Sequence, residues 1–186
     1  RWLAMGVFSP VFRPHAQDHI PPEPVFHDSV TLERARNLIN LRYAMLPYNY
    51  HLAYENARLG LPLARPVAFY SNAPDQFTNR DQYYWGRDLL VQPVVSPELE
   101  RAVVSLPLES TWFDCWNPQR GALSGSVEVD LTAVPIPVFV RAGAFIPLAK
   151  QVPQNTTDYD SSAIELHYFH EASQTRSHSS WFTDDG

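Results

Sequence analysis

The 186-residue chain is long enough for one domain or two small ones; its 45% hydrophobic and 13% aromatic residues suffice for a packed core, and 18% charged residues give no sign of disorder. A net charge of −6 without a basic cluster argues against nucleic acid as a partner. The single cysteine, Cys115, rules out an internal disulfide and a cysteine-based zinc site, and with no run of about 18 apolar residues a membrane is not expected as a partner either.

The chain starts without a methionine on an aromatic, apolar run that ends in Arg13-Pro14-His15. It is therefore expected to begin inside a larger protein. A buried strand that runs out into a cation and an imidazole suggests a site at the strand's C-terminal end. The plainer alternative is a core strand followed by a capped loop. From Pro14 to Phe26 the chain is polar and proline-rich, a loop rather than helix or sheet. Thr31 is the expected N-cap of the next element, with Glu33 in its first turn. Leu38, Leu41, Met45 and Leu52 recur at helical spacing, and Gly60 and Pro62 stop the pattern. The spacing predicts one helix from Leu32 to Leu59, bent near Pro47, which lacks an N–H and crowds the preceding turn.

Beyond Gly60 the reading is β. Apolar or alternating runs occur at Leu89–Val95, Ala102–Leu108, Trp112–Trp116, Val127–Leu131, Val138–Val140 and Ile164–Phe169, separated by turn-forming residues. Such spacing argues for an antiparallel sandwich or barrel. Val127, Val129 and Leu131 alternate with Glu128 and Asp130, which predicts one buried and one wet face. The stretch Ala149 to Ser162 is expected to be a linker, followed by a hairpin whose turn signal is Asp184-Asp185-Gly186.

Several blocks share one resemblance. Arg1-Trp2, Phe8-Ser9-Pro10 and Phe12-Arg13-Pro14-His15 resemble the last barrel strand of glycoside hydrolase family 31, the α-glucosidase and α-xylosidase family. Leu41-Arg42-Tyr43-Ala44-Met45-Leu46-Pro47-Tyr48 is similar to its Leu-Arg-Tyr-x-Leu-Leu-Pro-Tyr segment, and Leu63-Ala64-Arg65-Pro66 to its "xRP" strand. The blocks from Asp81 to Val94, Trp112 to Asp114, Ile136 to Pro147 and Phe182 to Gly186 resemble its "DQFxxGxxLLVAPV", "WYD", "IPVFVRAGSIIP" and "YEDDG" segments, all in the family's order.

The resemblance implies a mainly β chain. An antiparallel β-sandwich, the proximal C-terminal domain at residues 61–148, would follow the last strand and helix of a (β/α)8 barrel at 1–60. Residues 149–186 would be a linker and the start of a distal β-domain. It also implies retaining hydrolysis of α-linked glucoside or xyloside oligosaccharides, in which one Asp attacks the anomeric carbon and a second acts as acid and base. Both lie upstream in the family, the nucleophile within a Trp-x-Asp-Met-Asn-Glu-like segment that is absent here. No catalytic residue is therefore expected within the chain, and its implied partners are the sugar and the rest of the barrel. The alternative to this reading is a stand-alone carbohydrate-binding or structural β-sandwich module.

His15 is the site residue the resemblance implies: it would hydrogen-bond the hydroxyls of the sugar next to the scissile bond, since imidazole can donate and accept at once. Arg13, on the same side of an extended chain, would brace it through a salt bridge. The local carboxylates Asp18, Glu23, Asp28, Asp75 and Asp81 read as solvated loop charges, because flexible loops cannot hold two carboxyl groups about 5 Å apart. His15 and His19 have a metal-ligand spacing only in a helix, which Pro14, Pro21 and Pro22 oppose; no metal or cofactor is expected. Tyr43, Tyr48, Tyr50, Tyr54, Tyr83, Tyr84 and Trp85 could stack on sugars but are better explained as packing between barrel and sandwich. Asn155-Thr156-Thr157 fits a glycosylation sequon. The chain departs from the family at Pro14, Ala16 and Val25, all bordering the implied sugar site, so the choice among α-glucosidase, α-xylosidase and transglucosylase stays open.

Overall fold

The computed structural model describes residues 1–20, 23–71 and 73–184; of Val25 and Asp75 it describes the backbone alone. Three helices, α1 (Trp2–Val7), α2 (Ser29–Ala44) and α3 (Leu46–Leu59), come first among the described residues. Nine strands follow: β1 (Ala64–Pro66), β2 (Tyr83–Trp85), β3 (Leu89–Val91), β4 (Arg101–Leu106), β5 (Trp112–Asp114), β6 (Gly125–Asp130), β7 (Val138–Arg141), β8 (Phe145–Ala149) and β9 (Ile164–Tyr168).

The strand expected in the first fifteen residues is a correction. Trp2–Val7 coil into α1, and the chain from Val11 to Gln17 is irregular. Ala4, Val7 and Phe8 are buried together, the i, i+3, i+4 spacing of a helical face rather than strand alternation. A helix satisfies its backbone internally, and among the described residues no strand lies beside this segment to complete a ladder. The chain then folds back, bringing the Phe12 ring so close to Gly6 that a Cβ there would sit 2.9 Å from it.

The single bent helix is also corrected, to α2 and α3 parting at Met45. Pro47 thereby falls in the first turn of α3, where its missing N–H leaves no helical bond unmade. Helix α2 starts before Thr31, because the cap is Asp28. Its carboxylate accepts from the amides of Val30 and Thr31, each at 3.0 Å, and from the Thr31 hydroxyl at 2.7 Å. Gly60 closes α3 in the left-handed conformation (φ 69°), as its position in the sequence suggests.

Strands β1, β2, β3, β7 and β5 lie side by side in that order, each pair antiparallel. This sheet is the middle layer of the molecule. Trp85, Leu89, Val91, Val138 and Val140 face the helices, packing on Met45, Tyr48, Leu52 and the α1 residues Ala4 and Val7. The alternate residues Tyr84, Leu90, Phe139 and Trp112 face the β4–β6 ribbon, against Val104, Leu106, Val127 and Val129. The expected sandwich is this sheet with its ribbon, and the predicted alternation holds: Val127, Val129 and Leu131 are buried while Glu128 and Asp130 are exposed. The sequence patterns did not predict β2 or β8. Strand β8 pairs with β9, Phe145 opposite Tyr168 through Ala149 opposite Ile164, so this ladder runs across residue 148.

Candidate functional site

The helix layer is fastened to the sheet by polar groups drawn from the most recognisable sequence blocks. From α2, the Arg42 guanidinium donates to the carbonyls of Val7 at 2.6 Å and Ser9 at 2.8 Å, capping the end of α1. It lies against two aromatic faces, 5.9 Å from the Phe12 centroid and 5.8 Å from that of Trp85. The Tyr83 hydroxyl of β2 donates to the Phe8 carbonyl at 2.8 Å. The Tyr48 hydroxyl donates to the Trp85 carbonyl, and the Trp85 indole donates to Asn49 Oδ1, both at 2.9 Å. Burial pushes the phenols of Tyr48 and Tyr83 well above their ordinary range, which keeps both as donors. Gly86 follows in a left-handed turn (φ 69°); a Cβ there would lie 2.5 Å from the Tyr48 hydroxyl and 2.6 Å from Leu52. Only glycine allows α3 this close to the β2–β3 turn.

These contacts fix the segment that leaves α1 toward the expected site. Arg13 and His15 are both exposed there. Arg13 donates from Nε to the neighbouring Pro14 carbonyl at 3.3 Å, and it forms no ion pair among the described residues. His15 has no hydrogen-bond partner among them, so its two ring nitrogens are open to solvent. The structure thus brings the two close in sequence but not into contact with one another. His19 sits in a turn over residues 18–20, not on a helix with His15, and among the described residues no three His, Cys, Asp or Glu side chains group as a metal site.

The carboxylates of this end do not pair either. Asp28 is spent on the α2 cap, and the hydrogen bond from the Thr31 hydroxyl, reinforced by the amides, holds its pKa low. Asp18, Glu23 and Asp81 are exposed. The Asp75 side chain, Pro21, Pro22, the Val25 side chain, Asp185 and Gly186 lie outside the described residues, and with them the far part of the expected C-terminal turn. In the N-terminal part of the chain three large apolar side chains are exposed, Trp2 at 69%, Val11 at 72% and Phe26 at 66%.

The remaining blocks hold the fold together. Arg65 of β1 is 1% exposed; its guanidinium binds Glu55 of α3 at 2.6 Å, the Pro62 carbonyl at 2.7 Å and the Tyr70 hydroxyl. Asp114 accepts from the Trp116 amide at 2.9 Å and pairs with Arg120 at 3.0 Å, a turn-forming role. Arg141 pairs with Asp88 at 2.5 Å across neighbouring strands. The aromatic wealth divides: Tyr48, Tyr84 and Trp85 are buried, while Tyr50 and Tyr54 are exposed in part and flank Phe182. Asn155 caps the 156–158 turn, accepting from the Thr157 amide at 2.9 Å. The contacts of Asp114 and Asn155 are local turns, whereas the Arg141–Asp88 pair and the packing of Tyr50 and Tyr54 on Phe182 join partners far apart along the chain, which residue spacing does not show.

Comparison with known proteins places these elements in order. Residues 1–52 match the model of the glycosyl hydrolases family 31 TIM-barrel domain, and residues 60–146 that of the glycosyl hydrolase family 31 C-terminal domain. An α-glucosidase of Saccharolobus solfataricus is 35% identical over 150 residues, covering 80% of this chain and 21% of the relative. An α-xylosidase of the same organism is 31% identical over 160 residues, covering 86% of the chain and 22% of the relative. Among solved structures, a Flavobacterium johnsoniae family 31 dextranase complexed with isomaltotriose superposes with a TM-score of 0.80 at 31% identity, over 92% of this chain and 21% of that one. The chain therefore spans about a fifth of the length of these relatives. Two consecutive domain models of one family, met in order on a helix layer and a sandwich, assign the chain to glycoside hydrolase family 31.

Proposed function

We propose that the chain is the C-terminal part of a retaining α-glycoside hydrolase acting on α-linked glucosides or xylosides, with α-glucosidase as the leading activity. The succession of barrel-domain and C-terminal-domain matches along one chain carries this reading. Residues 1–60 are then the end of the catalytic barrel, 61–148 the proximal β-sandwich, and 149–186 the connection to a distal β-domain. The two Asp residues that break and re-form the anomeric bond belong to other barrel elements, about 5 Å apart as retention requires. The exposed apolar side chains of Trp2, Val11 and Phe26 suit burial against those elements.

Within this division, His15 contacts the sugar. Its exposed imidazole, free of protein partners among the described residues, can donate to one hydroxyl and accept from another. It orients the ring rather than transferring a proton. Arg13 acts behind it, through a carboxylate of the barrel. The named relatives, an α-glucosidase, an α-xylosidase and a dextranase complexed with isomaltotriose, support an α-linked sugar as the ligand.

The test compares this chain with the longer protein encoded upstream of Arg1. Hydrolysis of an aryl α-glucoside with retained anomeric configuration is expected for the longer protein and none for the chain alone. Turnover by the chain alone overturns the reading. In the longer protein, His15→Ala is expected to lower kcat/KM about a hundredfold, the scale of lost positioning in the transition state. Wild-type kcat/KM in that variant removes His15 from the site.

A further inference from the structure

We propose that a pocket between the start of α3, the 150–163 connection and the C-terminal segment is a second saccharide site, binding a neutral oligosaccharide away from His15. Its ligand class rests on the α-glycosidase reading above; its existence rests on the pocket itself. The cavity measures about 450 Å³, within the range that encloses small ligands. Two tyrosines, Tyr50 and Tyr159, three hydroxyl residues, Thr156, Ser161 and Thr183, one carboxylate, Asp184, and Leu46 line it. Aromatic faces suit the C–H faces of a pyranose, and hydroxyls donate and accept as sugar hydroxyls do.

Contacts behind the lining and within it hold the walls. Phe182 stacks on Tyr54 with centroids 4.0 Å apart and planes within 5°, and its amide donates to His51 Nδ1 at 3.1 Å. This pins the neighbouring Thr183 and Asp184 against α3. Tyr50 donates to Asp184 Oδ2 at 2.5 Å, and the Ser161 hydroxyl donates to the Asp184 carbonyl at 3.3 Å. On the opposite rim, Asn155 caps the turn that presents Thr156, accepting from the Thr157 and Asp158 amides. Among the described residues, the hydroxyls of Thr156, Tyr159 and Thr183 have no hydrogen-bond partner, so three donors are left for a ligand.

The lining also decides what the pocket does not take. No Lys, Arg or His lines it, so a phosphate or carboxylate finds no counter-charge. The lone carboxylate is engaged by Tyr50 and belongs to no metal-ligating group among the described residues, so a divalent cation is equally unsuited. A neutral polyol is the class that remains. The pocket opens beside Leu46, and no residue of the irregular segment carrying His15 lines it.

The test measures maltotriose and isomaltotriose binding by calorimetry in the longer protein carrying this chain, as wild type and with His15→Ala, Tyr159→Ala and Tyr159→Phe. Binding that survives His15→Ala, weakens about tenfold or more in Tyr159→Ala and weakens less in Tyr159→Phe is expected. Turnover of a small aryl α-glucoside by both Tyr159 variants stays at the wild-type level. Retention of full trisaccharide affinity by Tyr159→Ala overturns the second site, as does loss of all binding in His15→Ala. The α-glycosidase reading is judged separately by aryl α-glucoside turnover in the wild type. Saccharide binding without turnover keeps the pocket and removes that reading; turnover with affinity unmoved at Tyr159 does the reverse.

Discussion

The two faces of the central sheet are joined to their neighbours by different means. On the ribbon side, Leu90, Phe139 and Trp112 meet Val104, Leu106, Val127 and Val129, and apolar volume makes most of the joint, with Gln92 donating to the Val103 carbonyl at 3.2 Å and a Trp112–Leu123 backbone bridge at its edge. On the helix side, a similar apolar layer is crossed by directed hydrogen bonds, from Tyr48 to the Trp85 carbonyl, from Trp85 to Asn49, from Tyr83 to the Phe8 carbonyl and from Arg42 to those of Val7 and Ser9. Volume resists separation without choosing a register, whereas hydrogen bonds fix where one layer sits on the other. The helix side is also the one that leads to His15. The joint that leads to the proposed sugar contact is thus the one built for position.

Substitutions separate the two kinds of joint. The largest effect is expected on the ribbon side, from Trp112→Ala. This indole is fully buried, stands 5.8 Å from the Tyr84 ring and donates to the Pro107 carbonyl at 2.9 Å. Its removal is expected to cost about 3–5 kcal/mol of unfolding free energy in urea titration, the range for large aromatic deletions. A loss below about 1 kcal/mol would mean that the ribbon is not docked as described. Next comes Gly86→Ala on the helix side. The added methyl meets the Tyr48 hydroxyl and Leu52 in a left-handed turn, for an expected loss of about 2–4 kcal/mol. Unchanged stability there would sink the close approach of α3 to the sheet.

A smaller substitution tests the directional character itself. Tyr83→Phe keeps the ring and leaves the Phe8 carbonyl without its donor, so about 1 kcal/mol is expected. The matched change on the ribbon, Ser105→Ala on the exposed face of β4, is expected to be silent. Equal effects from the two would erase the distinction between the joints. In the longer protein, Tyr83→Phe is also expected to raise KM for an α-glucoside more than Ser105→Ala does, because the Phe8 carbonyl anchors the chain leading to His15.

The same contrast explains what was legible in the sequence. The ribbon side follows local pattern: β4, β6 and β7 announce themselves by alternation or apolar runs, and β6 buries the residues its alternation selects. The helix side depends on partners tens of residues away, which spacing does not encode. Trp2–Val7 is a strand by apolar content but a helix by the burial of Ala4, Val7 and Phe8, a three-and-four spacing that the aromatic run obscured. Strand β2 is three residues long, too short for a period, and its identity comes from pairing with β1 and β3. His15, an exposed histidine in an irregular segment, carries no local signature, and only the family resemblance singles it out.

The smallest expected effect lies at the entry to the helix layer, where two residues compete as the cap by type. Thr31 is a good cap by type, yet Asp28 takes the role because its carboxylate accepts two amides and the Thr31 hydroxyl together. That hydroxyl, and then the amides, lower the Asp28 pKa below its ordinary value of 3.8. A carboxyl with a depressed folded-state pKa contributes its stabilisation in full above the unfolded value and loses it as pH falls through the folded one. Protection of the Val30 and Thr31 amides against hydrogen exchange is therefore expected to be constant from neutral pH to about pH 5 and to fall below about pH 4. The Ala35 amide, inside α2, is expected to be unaffected over the same range. Asp28→Asn keeps an accepting side chain without a titrating group, so it should retain the cap and abolish the pH dependence. Persistence of that dependence in Asp28→Asn would move the titration to another group and return the cap to Thr31.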